Sequence, residues 1–315
     1  MKLGVMTVIL GHKPAEDAFR YLSSLKVETL EIGAGGYPGT AHLHPKTFLS
    51  DSGAAASYKE MLKRYNLEIS ALSTHANHVH PQQEIRDKAH DDFINTCKVA
   101  EKLGVDTVVT FSGCPGDHPG AKYSNWVTCL WPEDFSNILE YQWNEVLIPY
   151  WQSAVKKAAN FGVTRIALEM HPGFCVYNPQ TLLKLRSAAG DAIGANFDPS
   201  HLFWQGIKPA EAVKALKGAI YHFHAKDTNL NLANINVNGV LDTSASSSLL
   251  DRSWAFRTVG YGHDHIEWKN VVSALAAAGY DRSISIEHED PLMSAAEGLE
   301  KAIAFLQELI IKEKP

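Results

Sequence analysis

Four side chains that can bind a metal ion follow four successive β-rich runs of the sequence. Glu169 ends IALE, Asp198 ends ANFD, His224 ends YHFH and Glu287 ends SISIE. Three carboxylates brought together repel one another unless a cation lies among them. Because the set offers oxygen and imidazole ligands and no thiolate, it predicts one divalent cation, Mn²⁺ first, with Mg²⁺ or Co²⁺ as alternatives.

The 15 histidines are concentrated after the β-rich runs, and one alone falls within a helical pattern. Since an imidazole titrates near neutral pH, this distribution indicates a polar site that binds a metal, transfers protons, or both. His171, close to Glu169 in the sequence, is predicted to transfer protons, as the acid that an elimination needs for its leaving group. His75 and His118 are predicted to contact the substrate.

To bring these groups together, the chain must repeat one structural unit. Eight short apolar runs alternate with eight amphipathic segments, as expected of parallel strands covered by helices. We therefore predict an α/β fold, a single (β/α)8 TIM barrel over residues 1–315, with its site at the carboxyl ends of the strands. A doubly wound sheet is the alternative, although the turn ILGHKPAED lacks its glycine-rich motif. The predicted strands centre on Leu3, Leu30, Ile69, Val108, Ala167, Ala195, Phe223 and Ile286, and the predicted helices are Ala15–Leu25, Ala55–Tyr65, Glu84–Leu103, Ile138–Asn160, Gln180–Ala189, Pro209–Leu216, Trp268–Ala278 and Ala295–Ile311.

Two long polar connections interrupt this pattern, residues 113–135 after the fourth strand and an insertion, residues 228–264, after the seventh. Ordered connections of this length are usually functional, so we predict that the insertion walls the site and contacts a second part of the substrate or a partner subunit. Packing of the insertion on the outside of the barrel is the alternative. Three residues are predicted to bind the substrate. The planar guanidinium of Arg257 could hold two substrate oxygens, Lys226 could bind by its charge, and Trp204 could stack on the substrate. Arg257 and Lys226 could instead form ordinary ion pairs with the strand-end acids.

The composition disfavours several classes of partner. Lys and Arg total 29 and Asp and Glu total 35, so the formal net charge is −6, which argues against nucleic acid or an anionic membrane surface. No apolar run approaches the roughly 20 residues that span a bilayer, and we expect a cytoplasmic protein. Its four cysteines form no CxxC pair, which indicates free thiols in a reducing compartment.

The strand-end residues resemble those of the sugar phosphate isomerase/epimerase superfamily, the xylose isomerase-like TIM barrels that include tagatose and psicose 3-epimerases. DPSH (198–201) matches the family's Asp-x-x-His, and HAKD (224–227) matches its His-x-x-acid. The resemblance implies that Glu169 and Glu287 transfer the proton and that His201 contacts the substrate or supports a ligand. It implies the same metal ligands as above, Glu169, Asp198, His224 and Glu287.

The chain departs from the epimerases at Leu230, which stands where they have an arginine, and Arg257 in FRTVGYGHD could replace it. Longer blocks, EIGAGGYPG and NFDPSHLFWQG among them, are similar to a branch that includes the alpha subunits of C-glycoside deglycosidases, which act on 3-keto-glycosides. This second resemblance implies a small partner subunit, and a homo-oligomer is the other expectation.

The expected function is a metal-dependent carbohydrate enzyme that removes a proton next to a sugar carbonyl through an enediolate. Return of the proton gives epimerisation or isomerisation, whereas expulsion of a leaving group gives a lyase of 3-keto-glycosides. The expected substrate is a sugar or keto-sugar without a phosphate ester, since no basic cluster suits one. A non-catalytic sugar-binding protein and a metal-dependent AP endonuclease are the remaining alternatives, and the net charge disfavours the latter.

Overall fold

The computed structural model describes residues 1–243, 248–249 and 251–313. The strands of these residues are Lys2–Met6 (β1), Thr29–Gly33 (β2), Glu68–Ser73 (β3), Thr107–Phe111 (β4), Arg165–Glu169 (β5), Ile193–Phe197 (β6), Ile220–Ala225 (β7), Asp227–Leu230 (β8), Trp254–Arg257 (β9) and Ser283–Ile286 (β10). Eight of them close into a parallel barrel in the order β1-β10-β7-β6-β5-β4-β3-β2. The predicted (β/α)8 TIM barrel is therefore confirmed, and β8 and β9 form a separate antiparallel hairpin inside the insertion.

Helices follow each barrel strand and cover the outside of the barrel. The α-helices of the described residues are Ala15–Ser24 (α1), Pro45–Ser50 (α2), Ala54–Arg64 (α3), Gln83–Leu103 (α4), Asp134–Glu140 (α5), Ile148–Ala159 (α6), Pro179–Ala189 (α7), Pro199–Phe203 (α8), Pro209–Ala215 (α9), Leu232–Asn238 (α10), His265–Ala277 (α11) and Ala295–Leu309 (α12). None of these helices is long and apolar enough to cross a membrane.

Two predicted helices begin several residues earlier in the structure: the one predicted from Trp268 begins at His265, and the one predicted from Ile138 is also irregular. The helix predicted from Ile138 begins at Asp134, and a wider turn, Tyr141–Leu147, joins α5 to α6. Pro149, in the first turn of α6, has no N–H to donate, so the regular hydrogen-bond ladder is interrupted at this point.

Successive residues of each barrel strand point alternately outward to the helices and inward to the barrel axis. The outward residues belong to the main apolar core and include Leu168, Phe197, Phe223 and Ile284. Small apolar residues that point inward form a second, separate cluster of Ala71, Val109 and Ala167. The rest of the interior is polar, because the inward positions of β2, β5, β6 and β7 carry ionisable or amide side chains.

A glycine allows the barrel to close between its first and last strands. A Cβ atom on Gly4 would lie 2.1 Å from Ser283 Oγ and 2.5 Å from Thr29 Oγ1. These two hydroxyls are hydrogen-bonded to each other at 2.7 Å across β1. Any larger side chain at position 4 would therefore separate β2 from β10.

The insertion is fixed to the barrel at its far end by one buried carboxylate, Asp227. Its Oδ2 accepts hydrogen bonds from the backbone N–H of Gly260 (2.9 Å), Gly262 (3.2 Å) and His263 (3.0 Å) and from Nε1 of Trp268 (3.0 Å). The hairpin starts at Asp227, one residue before the predicted insertion. Through Asp227, the residues that close the insertion are joined to Trp268 of α11.

Candidate metal centre

Four barrel strands bring the predicted metal ligands into one cluster. Glu169 ends β5, Asp198 directly follows β6, His224 lies on β7 and Glu287 directly follows β10. One candidate ligand atom from each lies within 4.8 Å of the others. Asp198 Oδ2, His224 Nδ1 and Glu287 Oε2 are buried and lack a well-aligned hydrogen bond, although His224 Nδ1 lies 2.9 Å from Glu287 Oε2 and the ammonium of Lys226 is close to both carboxylates. Since buried polar atoms seldom lack a hydrogen bond, this donor set fits a divalent cation held between them.

A carboxylate on the opposite side of the barrel orients His224. Nε2 of His224 lies 2.8 Å from Oε2 of Glu31, so Nε2–H donates to this carboxylate and Nδ1 is the nitrogen that would bind a cation. The hydroxyls of Ser73 and Ser285 also donate to Glu31. Burial alone would raise the pKa of Glu31, but His224 and His222 lower it to about 2, which keeps the group ionised.

Glu31 and Asn196 belong to the candidate site, and the sequence did not predict either of them. Glu31 is the single charged residue of β2, TLEIG, in which every residue is buried. Asn196 Nδ2 donates to Glu169 Oε2 (3.1 Å), and its Oδ1 lies 3.2 Å from Nδ1 of His222. A charged or amide side chain in a strand buried on both faces requires polar partners, and this was the signal available in the sequence.

Three donors hold the carboxylate of Glu169 in place. His201 Nε2 lies 3.0 Å from Oε1, and His75 Nε2 (3.0 Å) and Asn196 Nδ2 (3.1 Å) lie next to Oε2. Burial alone would raise the pKa of Glu169, but the neighbouring His201, His224 and His75 hold it well below its usual range. Glu169 is therefore a fixed, ionised carboxylate.

A buried lysine lies among the acidic ligands. Nζ of Lys226 is 3.2 Å from Asp198 Oδ2, 2.9 Å from Glu287 Oε2 and 3.3 Å from Glu289 Oε2, and the side chain is 3% exposed. Burial alone would lower the pKa of Lys226, but these acids raise it well above its usual value. Burial raises the pKa of Asp198 to about 7, although Lys226 opposes this. The ion pair that the sequence offered as an alternative for Lys226 is thus present beside the candidate ligands.

A cavity of about 540 Å³ opens above the cluster. Its polar wall consists of His75, Glu169, His171, Lys226, Glu287, His288 and Glu289. The apolar part of its lining consists of Met6, Val8, Ile9, Tyr37, Pro38, Phe111 and Ala295. Five of the predicted site residues therefore line a single cavity.

Two neutral histidines lie next to Glu169. Nδ1 of His171 is 2.5 Å from the carbonyl oxygen of Pro172, so Nδ1 carries the proton and Nε2 is free to accept one. Burial lowers the pKa of His171. Burial also lowers the pKa of His201, to about 3, and the nearby His171 and Lys226 contribute to this shift. His201 donates to Glu169 and does not line the cavity. Of its two expected roles, it therefore occupies the position that supports a candidate ligand.

The structure does not place Arg257 at the cavity. Its Nε lies 3.1 Å from both carboxylate oxygens of Asp290. Neighbouring residues of a strand face opposite sides, and on β9 it is Phe256 that faces the site, with its ring 5.2 Å from the His201 ring and 4.6 Å from Lys226 Nζ. The prediction that Arg257 points at the substrate is therefore not supported by this geometry, and Phe256 is the residue by which the insertion reaches the site.

His118 and Trp204 also lie away from the cavity wall. The side chain of His118 is 62% exposed, and its Nδ1 accepts a hydrogen bond from Gly120 N at 2.9 Å. Trp204 is 6% exposed and stacks on Trp254, with ring centroids 4.6 Å apart. Because its faces are used in this stack, Trp204 attaches the insertion to the barrel instead of offering a platform to a sugar.

Comparisons with known proteins agree with this architecture. The sequence model of the family described as "Xylose isomerase-like TIM barrel" matches residues 19–309. The protein described as "Uncharacterized protein YfiH", from Bacillus subtilis (strain 168), is 38% identical over 313 residues, which cover 98% of this chain and 99% of the relative.

Solved structures show the same fold at low sequence identity. A D-tagatose 3-epimerase-like protein aligns over 98% of both chains with 22% identity and a TM-score of 0.65. The IolI protein with a bound zinc atom aligns over 98% of this chain and 96% of its own, with 18% identity and a TM-score of 0.64. Since the family model covers most of the chain and the Bacillus relative covers nearly all of it, the protein belongs to the family of xylose isomerase-like TIM barrels.

Proposed function

We propose that the protein is a divalent-metal-dependent carbohydrate enzyme of the isomerase or epimerase type, which removes a proton from the carbon next to a sugar carbonyl. The observation that carries this proposal is the convergence of four candidate ligands, Glu169, Asp198, His224 and Glu287, whose ligand atoms lie within 4.8 Å of one another beside the cavity. The similarity in fold to a D-tagatose 3-epimerase-like protein and to a zinc-bearing protein supports it. Mn²⁺ is the cation that we propose.

When bound, the cation would polarise the substrate carbonyl and stabilise the negative charge that develops on its oxygen. Glu169 and Glu287 line the same cavity from β5 and β10, so they reach a bound sugar from two separated positions. One carboxylate would accept the proton and the other would return it. His171, whose Nε2 is free to accept a proton, would assist transfer to or from a substrate hydroxyl.

A lyase that acts on 3-keto-glycosides is the second candidate function. The observation that favours it is the apolar part of the cavity lining, which includes Tyr37 and Phe111. Apolar surface of this kind suits an aglycone better than the hydroxyl groups of a free hexose. In this reaction the electrons left after proton removal would expel the aglycone.

Deuterium exchange tests the proposed function and separates the two candidates. The Mn²⁺-loaded protein is incubated in D₂O with a 3-keto-glucoside and, in parallel, with free ketohexoses, and exchange and products are followed by NMR. We expect exchange at the carbon next to the carbonyl, and released aglycone would identify the lyase. Glu169→Gln and Glu287→Gln should each reduce exchange by about 10²-fold or more, because an amide cannot accept the proton.

Glu297→Gln is the matched control, since this acid is exposed and pairs with Lys301 on α12. It should leave exchange unchanged. If the loaded wild-type protein exchanges no deuterium with any of these sugars, the proposed enzymatic function is wrong.

A further inference from the structure

Lys226 has two sets of acidic neighbours. Its ammonium forms ion pairs with the candidate ligand oxygens, 2.9 Å from Glu287 Oε2 and 3.2 Å from Asp198 Oδ2. It also donates to Oε2 of Glu289, at 3.3 Å, a cavity-lining side chain that is 53% exposed. The ammonium therefore lies on the ligand oxygens and is within reach of a second acid that is not a candidate ligand.

These two ligand oxygens are the atoms that a divalent cation would use. An ammonium and a divalent cation of like sign cannot share them at about 3 Å without strong repulsion in a buried site. The lysine stem is long and flexible, and its ammonium is already in contact with Glu289 on the cavity wall. The ring of Phe256, 4.6 Å from Nζ, offers a favourable surface to the charge along this path.

We propose that Lys226 is an exchangeable counterion of the metal centre. In the metal-free protein its ammonium neutralises Asp198 and Glu287, and when the cation binds it moves toward Glu289 and into the cavity. There it donates to an oxygen of the bound substrate, so that metal loading prepares the substrate-binding wall. This inference rests on the metal-dependent function proposed above and assigns the lysine a second, metal-controlled position.

A double-mutant cycle on metal affinity tests the exchange without any knowledge of the substrate. The probe is Mn²⁺, titrated by calorimetry into stripped wild-type protein and into Lys226→Met, Glu289→Gln and the double variant. Lys226→Met should bind Mn²⁺ about tenfold more tightly or better, because no ammonium has to leave. Glu289→Gln should weaken binding about threefold or more in the wild-type background and much less in the Lys226→Met background, because only a lysine needs the second position.

Lys301→Met is the control, because it changes the net charge equally at an exposed pair on α12 and should leave the affinity unchanged. Crystal structures with and without Mn²⁺ provide a second measurement on the wild-type chain, in which the distance from Lys226 Nζ to Asp198 Oδ2 should increase on loading. If Lys226→Met binds Mn²⁺ no more tightly than wild type, or if the lysine keeps its position, the exchange is wrong while the proposed function stands. If neither wild type nor any variant binds Mn²⁺, both proposals fail.

Discussion

At the scale of single residues, the contact between Glu31 and His224 makes the cation depend on an acid that does not touch it. Glu31→Gln keeps the size of the side chain but removes the charge that supports the Nε2–H of His224. We expect the affinity for Mn²⁺ to fall about 10- to 100-fold, the usual effect of losing such a partner. Titration calorimetry measures it, with Glu68→Gln as the control, since this exposed acid pairs with Lys2. Equal affinities in both variants would contradict the assigned role of Glu31.

A histidine remote from the candidate ligands predicts how stability depends on pH. His78 is fully buried, its Nε2 lies 2.7 Å from Thr110 Oγ1, and burial, with a smaller contribution from His90, lowers its pKa to about 3. The unfolded chain takes up a proton here below about pH 6.5. The folded chain does not until about pH 3, so its stability decreases as the pH falls from 6.5.

His78→Phe removes this proton uptake and keeps an aromatic ring beside Tyr150. The loss of unfolding free energy between pH 7 and pH 5 should become smaller by about 2 kcal/mol in the variant. Urea unfolding at both pH values measures it. The comparison is internal to each protein, so the general cost of the substitution cancels. If the variant loses as much unfolding free energy between pH 7 and pH 5 as wild type does, His78 is not buried in its neutral form.

The candidate ligands could be predicted from the sequence because each one lies at the carboxyl end of a strand or directly follows it. Parallel strands of a barrel end on the same rim, so position along the chain was enough to group Glu169, Asp198 and Glu287. The partners of Glu31 could not be predicted in this way. Its contact with His224 joins β2 to β7 across the barrel, and only the closed ring determines which inward residues meet.

At the scale of elements, the hairpin of β8 and β9 determines which part of the insertion acts on the site. Phe256→Ala should lower kcat/KM about tenfold or more, because it removes the ring that packs on His201 and Lys226. Arg257→Ala is its matched partner on the other face of the same strand. It should cost about 1–2 kcal/mol of stability through Asp290 and leave kcat/KM nearly unchanged.

Steady-state kinetics and urea unfolding of the two variants check this assignment together. A large loss of turnover in Arg257→Ala with Phe256→Ala unaffected would reverse the two faces of β9. The sequence predicted the length and place of the insertion, since a long polar stretch separates two periodic segments. It could not predict the side to which each residue turns, because a shift of one residue in the hairpin register exchanges the two faces.

At the scale of the whole molecule, the candidate ligand atoms predict that the cation stabilises the fold. Three acids and a histidine in one cluster would bind the proposed cation in the folded state and not in the unfolded chain. Removal of the metal with a chelator should therefore lower the melting temperature by about 5 °C, and a saturating amount of Mn²⁺ should restore it. Differential scanning fluorimetry measures both steps. An unchanged melting temperature after verified metal removal would contradict a cation bound among these residues.

The location of Glu31 also determines when, during the synthesis of the chain, the centre can first hold its ion. All four candidate ligands come from neighbouring strands, β5, β6, β7 and β10, but the acid that orients the histidine comes from β2 on the far side of the ring. Glu31 precedes all four candidate ligands in the sequence, and Glu287 is the last of them. The ring closes only when β10 pairs with β1. A growing chain therefore lacks the complete candidate centre at every earlier stage, and we expect the proposed ion to enter a finished barrel.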